Sequence, residues 1–539
     1  MTGQGIIVDQ VPADSAGARE IGFAIPERYN ASRILFDNLA ADNGDRTAVI
    51  SASGRRSYAE LCADASRWGN GFASLGLKRG DRIVMFLDDT PAYPAAFFGA
   101  VRAGFVPVLL NTLTPSDLLQ FYSADSGATV AVVDAAFSDR FDATACAGTA
   151  LQTLIVVNGA AKAHAAPRTI AAEGWLSGQS ADLAEADTHR NEMAFWMYSS
   201  GSTGRPKGIV HLQHDMAYSN AAFGKHVLDL KPDDICFSVP KIFFAYGFGN
   251  SITFPFSVGA SSVLLGGQPK PQTIFAAIGE YKPTVFFGLP TLYTMLTQDA
   301  ASCDFSSIRL CLSAAEVLSV EVFNRWKTLT GHEIVEGLGS TEAIHIYLSN
   351  RPDAKKPGAA GLRVPGYEVV LKDREGRLTA PGEEGIMWVR GDSNMPQYWN
   401  RPDKTAETIR EGGWIYTGDR FLLDSDGFYF FRGRADDLIK VSGQWVYPLE
   451  VELCLADHPD VLECAVFGVE LPDRRMTLRA AVVMRARGFA PEATTTALQN
   501  FVKQKLVPYK YPREIRFLDE LPKTGTGKID RQALLKVMG

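Results

Sequence analysis

The sequence predicts an α/β fold: parallel sheets covered by helices on both faces, then a β-rich segment, then a small α+β domain at the C-terminus. Three observations predict it. Short, wholly apolar runs recur through the first two-thirds of the chain with helical patterns between them, the texture of strands buried on both faces. After Pro357 the pattern changes to strands punctuated by turns. Beyond Arg434, helix and strand patterns mix again over about 100 residues, an ordinary domain size.

Taken in order, "SYAELCADASRWGNGFASLGL" opens on a capping box, Ser57 with Glu60, and keeps helical period until Gly76 and Gly80 stop it. "RIVMFL" follows as a buried strand. "FVPVLL", "TVAVVD", "LIVV", "ICFSVP", "TVFFGLP", "LCLSA" and "EIVEGL" repeat the type. "YEVVLKD", "GIMWVRG" and "GFYFFRGR" predict a small barrel or distorted sheet. "YPLEVELCLADHP" and "TTTALQNFVKQKL" read as helices, and "VLECAVFGV" and "RAAVVMRA" as strands.

With 539 residues the chain is too long for one core, so two or more domains are expected. A net charge of −7 argues against sequence-independent nucleic-acid binding, which needs dense Lys and Arg. Seven scattered cysteines without CxxC spacing read as small buried hydrophobes in a reducing compartment, not as disulfides or zinc ligands. The first residues lack the basic and apolar regions of a signal peptide, and the expectation is a cytoplasmic protein. The uncharged stretch Ile242 to Pro269 is broken by Gly, Pro and hydroxyl residues. It reads as a pocket wall plus a buried strand such as "SSVLL" rather than a membrane span.

"YSSGSTGRPKG", Tyr198 to Gly208, gathers glycines, hydroxyls and two cations directly after the strand-like "AFWMY". Backbone N–H groups in such a loop can converge on an anion, with Lys207 adding a point charge. It is not a Walker loop, because Pro206 precedes Lys207 and Gly208 follows it. In "PKTGTGK", Lys528 is followed by Ile529, again a mismatch. "GLGSTE" ends in Glu where a dinucleotide fingerprint has Gly. There is no GxSxG or HExxH.

"YSSGSTGRPKG", "GLGSTE", "YTGD", "FRGRADDLIKVSGQWVYPLEVE" and "PKTGTGKID" occur in that order between positions 198 and 530, and with them the chain resembles the adenylate-forming (acyl-CoA synthetase) superfamily. The resemblance implies a large N-terminal domain, residues 1–434, with two parallel-rich sheets and a barrel-like β-subdomain. A mobile C-terminal domain, 435–539, would turn about a hinge at Asp436. It also implies ATP, CoA and Mg²⁺ as the partners in the chemistry. Ser199, Ser200, Gly201, Ser202, Thr203, Gly204 and Lys207 would hold the outer phosphates. Gly337, Leu338, Gly339 and Ser340 would line the nucleotide, Thr341 would bond the α-phosphate, and Glu342 would hold Mg²⁺. Ala314, Ala315 and Glu316 would wall the adenine. Many members carry Gly at the position of Ala315 and an aromatic at that of Leu338, so apolar packing would replace stacking here. Asp419 and Arg434 would bind the ribose, although a structural ion pair is the plainer alternative. Lys528 would bridge carboxylate and α-phosphate during adenylation. Gly443 and Trp445 would line the pantetheine tunnel.

"KIFFAYGFGN" and "GLGSTEAIHIY" resemble the benzoate and 4-hydroxybenzoate CoA ligases. That likeness implies a flat slot of Phe244, Ala245, Tyr246 and Gly247, closed by Ile344 and His345, with Lys440 approaching the carboxylate. His345 would either bond a ring hydroxyl through a free nitrogen or spend its capacity on the backbone. The expected function is adenylation of 4-hydroxybenzoate or benzoate and transfer to CoA. Another carboxylic acid, or a carrier-protein thiol as acceptor, stays open. The expected partners are small molecules, with no nucleic acid and no membrane. A homodimer, and a lysine acetyltransferase acting on Lys528, complete the expectation.

Overall fold

The computed structural model describes residues 15–160, 167–199, 206–300, 303–435, 437, 439–441, 444–471, 476–523 and 529–538. The Tyr58–Ser74 helix starts on the expected capping box: Ser57 Oγ accepts from the Glu60 N–H, and the Glu60 carboxylate accepts from the Ser57 N–H. Leu61, Ala65, Trp68 and Phe72 fall on one face of it and are buried. Each large apolar side chain so buried contributes about 1.5–3 kcal/mol. This helix packs on Ala92–Arg102, and together they cover a seven-stranded sheet.

That sheet runs in the order 168–171, 153–157, 130–134, 82–86, 106–109, 193–199 and 207–212. All its pairings are parallel except the last, where Met193–Ser199 and Lys207–Leu212 form an antiparallel pair. Residues 397–399 run along the outer strand: the Trp399 N–H donates to the Gly208 carbonyl at 2.7 Å and the Val210 N–H to the Gln397 carbonyl at 3.3 Å. A second sheet of nine strands has a parallel centre, from Ile334–Gly339 through Leu310–Ser313, Val285–Gly288, Ile235–Ser238 and Ser261–Val263 to Thr47–Ser51. Its edges are antiparallel. The apolar runs read as strands from the sequence therefore form the two parallel-rich sheets.

The β-rich segment is a five-stranded antiparallel sheet of Glu368–Lys372, Glu384–Arg390, Ile409–Arg410, Trp414–Leu423 and Tyr429–Arg434. Register shifts at 386/388 and 420/421 distort it. Beyond it stand a ribbon, Ile439–Val441 with Gln444–Val446, and a three-stranded sheet, Val461–Glu470, Met476–Met484 and Glu514–Phe517. The helices Pro448–Ala456, Pro491–Lys505 and Arg531–Met538 complete this smaller region.

The uncharged stretch resolves into a helical run, Ala245–Ser257, whose centre Gly249–Thr253 is π-helical, followed by the Ser261–Val263 strand. Among the described residues no helix is long and apolar enough to cross a membrane. All seven cysteines are free thiols, and burial pushes the Cys62 and Cys311 thiols up to about 12.

Candidate active site

The antiparallel pair in the first sheet carries the opening motif. Ser199 lies opposite Lys207, and Tyr198 opposite Gly208. Ser200, Gly201, Ser202, Thr203 and Gly204 lie outside the described residues, so the structure gives the stem of this hairpin. The Tyr198 hydroxyl donates to Asp125 at 2.7 Å, fixing the stem from below. The Lys207 ammonium sits 4.2 Å from the centre of the Tyr398 ring, and burial lowers its pKa while the Glu342 carboxylate opposes that shift. The Tyr398 hydroxyl in turn donates to Glu342 Oε1 at 2.7 Å. One tyrosine thus links two charged groups that lie far apart in the chain. Sequence reasoning missed Tyr398; "MPQYWN" has no spacing that marks it.

"GLGSTE" leaves the Ile334–Gly339 strand and enters a single 3₁₀ turn, Thr341–Ala343. Gly337 pairs with Ser349 and the half-buried Leu338 with Leu348. A Cβ on Gly339 would fall 2.1 Å from the His345 carbonyl oxygen, so only glycine permits this return of the chain. Ser340 Oγ accepts from the Ala343 N–H at 3.3 Å. The Met395 N–H donates to the Glu342 carbonyl at 2.7 Å, and the Ser393 hydroxyl to the Ala343 carbonyl at 3.0 Å. His211, buried in the Lys207–Leu212 strand, meets the Thr341 carbonyl through Nε2 and Asp215 Oδ2 through Nδ1, each at 2.8 Å. The Thr341 and Glu342 side chains stay half-buried on a turn whose backbone is tied from several sides.

Ala314 is buried, whereas Ala315 is exposed and holds φ +71°, a left-handed conformation that favours glycine. Glu316 accepts from Thr291, from its hydroxyl at 2.6 Å and its N–H at 3.2 Å. Nearby, the Leu318 N–H donates to the buried Glu336, whose carboxyl burial pushes up to about 8.

Asp419 and Arg434 are direct partners on adjacent strands, with Arg434 Nη1 3.2 Å from Asp419 Oδ1. The ion pair anticipated as the plainer alternative is therefore present, and it leaves both side chains part-exposed. The buried Tyr347 phenol is raised mainly by burial and then by the negative charges of Asp419 and Glu342, with Arg434 opposing. The charges of "YTGD", "GLGSTE" and the arginine of "FRGR" thus all act on one buried phenol.

The helical run places Phe244 and Ala245 half-buried and Tyr246 buried, while Gly247 packs on the Pro240–Lys241 backbone. Ile344 is buried at φ +66°. His345 Nε2 donates to the Tyr246 carbonyl at 3.2 Å, and burial lowers its pKa to about 3. The imidazole is neutral, with its hydrogen on Nε2 and the Nδ1 lone pair available as an acceptor. The backbone bond anticipated as one alternative is present, and the other ring nitrogen finds no partner among the described residues. Asp436, Gly443 and Lys528 lie outside the described residues. For Lys440 and Trp445 the backbone alone is described, and there the two residues are opposed on the ribbon.

Comparison with known proteins identifies the family of the chain. Residues 36–399 match the AMP-binding enzyme family and residues 450–528 its C-terminal domain. The chain is 40% identical to the benzoate–CoA ligase of Thauera aromatica over 94% of its own length and 96% of that protein. It is 38% identical to the 4-hydroxybenzoate–CoA/benzoate–CoA ligase of Rhodopseudomonas palustris, over 94% of each chain. The crystal structure of the anthranilate CoA ligase AuaEII with anthranoyl-AMP superposes with a TM-score of 0.90 at 34% identity, covering 95% of this chain and 98% of that one.

Proposed function

Because the chain belongs to the AMP-binding enzyme family and is an AMP-forming acid–thiol ligase, we propose that it converts an aromatic carboxylate, 4-hydroxybenzoate or benzoate, into its CoA thioester. In the first half-reaction a carboxylate oxygen attacks the α-phosphorus of ATP and pyrophosphate leaves. In the second, the CoA thiolate attacks the acyl carbon and AMP leaves.

The observation that carries this reading is the convergence of Lys207, Glu342, Asp419 and Arg434 around the Tyr398 and Tyr347 phenols. Bringing an anionic acid to an anionic triphosphate requires fixed cations and dipoles more than covalent help from the protein. In this reading Lys207 and the hairpin loop hold the outer phosphates, Thr341 bonds the α-phosphate, and the Asp419–Arg434 pair takes the ribose. Ala314 to Glu316 and Gly337 to Ser340 border the base. Glu342 fits Mg²⁺ as a single hard carboxylate, since this ion is commonly held by one or two carboxylates together with substrate phosphates. When bound it would neutralise phosphate charge. In the same reading Lys528 would complete the adenylation site, and Asp436 would be the hinge between domains 1–434 and 435–539. Gly443 and Trp445 would line the thiol's path.

The aromatic acid is supported by the names of the relatives and by the slot itself, where Tyr246, Phe223 and Phe254 surround a neutral His345. The test is AMP release, dependent on both ATP and CoA, across benzoate, its hydroxy isomers, cyclohexane carboxylate and hexanoate. Aromatic acids are expected to lead. Release with hexanoate alone would overturn the assignment.

A further inference from the structure

Four polar atoms on three residues of the proposed acyl slot have unspent hydrogen-bonding capacity. Asn250 is fully buried, and neither atom of its amide has a hydrogen-bond partner among the described residues. The same holds for the Tyr246 hydroxyl and for His345 Nδ1. These groups are neighbours. Tyr246 and Asn250 stand four residues apart on one helical run, and the amide faces the phenol without a bond of ordinary geometry. The Tyr246 and His345 rings lie 5.5 Å apart. Gly249, adjacent to Asn250, touches the imidazole so closely that a Cβ would fall 2.4 Å from His345 Cδ2. The π-helical turn at Gly249–Thr253 inserts an extra residue into the helical run, a distortion frequent at functional sites.

A buried polar group without a partner costs about 1–3 kcal/mol, so a cluster of them calls for a ligand that completes it. Asn250 offers a donor and an acceptor, Tyr246 an O–H, and His345 Nδ1 a lone pair. A ring hydroxyl or amino group can donate to one of these and accept from another. A bare phenyl ring can satisfy none.

Building on the aryl-acid reading above, we propose that Asn250, with Tyr246 and His345 Nδ1, reads a polar ring substituent, so that the preferred acid is a hydroxy- or aminobenzoate rather than benzoate. Asn250 is the specificity-determining residue this adds. Sites built to hydrogen-bond a substrate group discriminate against the analogue lacking it far more strongly than apolar pockets discriminate by size.

The experiment measures kcat/KM of the full chain for benzoate, 3- and 4-hydroxybenzoate and 2-aminobenzoate, in wild type and Asn250→Leu, with Tyr246→Phe as the milder second variant. The wild type is expected to prefer one substituted acid over benzoate by about tenfold or more, and Asn250→Leu to shrink that ratio by about 10–100-fold. Tyr246→Phe shrinks it less. The arms separate a hydroxyl from an amine by which acid leads. A wild type that prefers benzoate, as when these groups hold water, overturns the proposal. So does an unchanged ratio in both variants. If no aromatic acid yields AMP, the aryl-acid reading itself fails, an outcome distinct from benzoate activity without discrimination.

Discussion

His211 Nε2 lies 2.8 Å from the Thr341 carbonyl, joining the strand that begins at Lys207 to the turn that carries Thr341 and Glu342. Its other nitrogen meets Asp215, and both residues are wholly buried. Phe195 stacks on the imidazole at 5.1 Å.

His211→Phe would keep the stacking and take the imidazole from the buried Asp215 carboxylate, leaving it the Leu212 N–H at 3.0 Å and His214 Nδ1 at 3.1 Å. Removing one member of a buried pair costs about 3–5 kcal/mol. Urea unfolding should show a loss of that order. His211→Phe/Asp215→Leu should recover part of it, because no charge is then stranded. A double variant as unstable as the sum of the two single variants would refute the coupling.

Glu336 sets an alkaline limit. Its carboxyl titrates near 8 in the fold against an ordinary 4.5, so the folded protein keeps a proton that the unfolded chain releases. Its stabilisation is complete below pH 4.5 and is lost as pH rises towards 8. Between pH 5.5 and 8 this amounts to roughly 3 kcal/mol. Glu336→Gln should remove that slope, as read by urea unfolding at the two pH values. His345 acts with the opposite sign. Lowered to about 3, its contribution is present above 6.5 and fades as pH falls.

Ala315 holds φ +71°. A left-handed residue with a Cβ costs about 1–2 kcal/mol. Glycine would relieve this but brings about 0.5–1 kcal/mol of extra chain entropy. Ala315→Gly should therefore be neutral to slightly stabilising in a thermal melt, and Ala315→Val clearly destabilising. A Val variant that melts with wild type would show that the turn relaxes.

Lys528→Ala, argued from "PKTGTGK", should lose adenylation by orders of magnitude yet still form thioester from supplied acyl-adenylate. Pyrophosphate release and single-turnover thioester formation separate the two. Equal loss in both would remove Lys528 from its assigned step.

What the sequence made legible was local or carried by a motif. The Ser57–Glu60 cap needs residues three apart, and the apolar strands show themselves by composition. Lys207 and Glu342 stood out because glycines and hydroxyls flank them. The missed residues act across distance. Tyr398 matters because a strand edge brings it over Lys207, and His211 because its neighbour in space is Thr341. Asn250 sits on a π-helical turn, and one extra residue in a helix leaves no mark in hydrophobic period. The Asp419–Arg434 pair shows a further limit, since pairing and ribose binding use the same atoms and only geometry reveals that the ion pair forms.

The segment 397–399 that places Tyr398 over Lys207 also occupies hydrogen-bonding positions along the outermost strand of its sheet. An unshielded rim of this kind is a template for another chain to join by main-chain pairing. Here the stretch that sets Tyr398 over Lys207 also covers that rim, so a deletion that loosened it is expected to expose the strand edge and cost solubility.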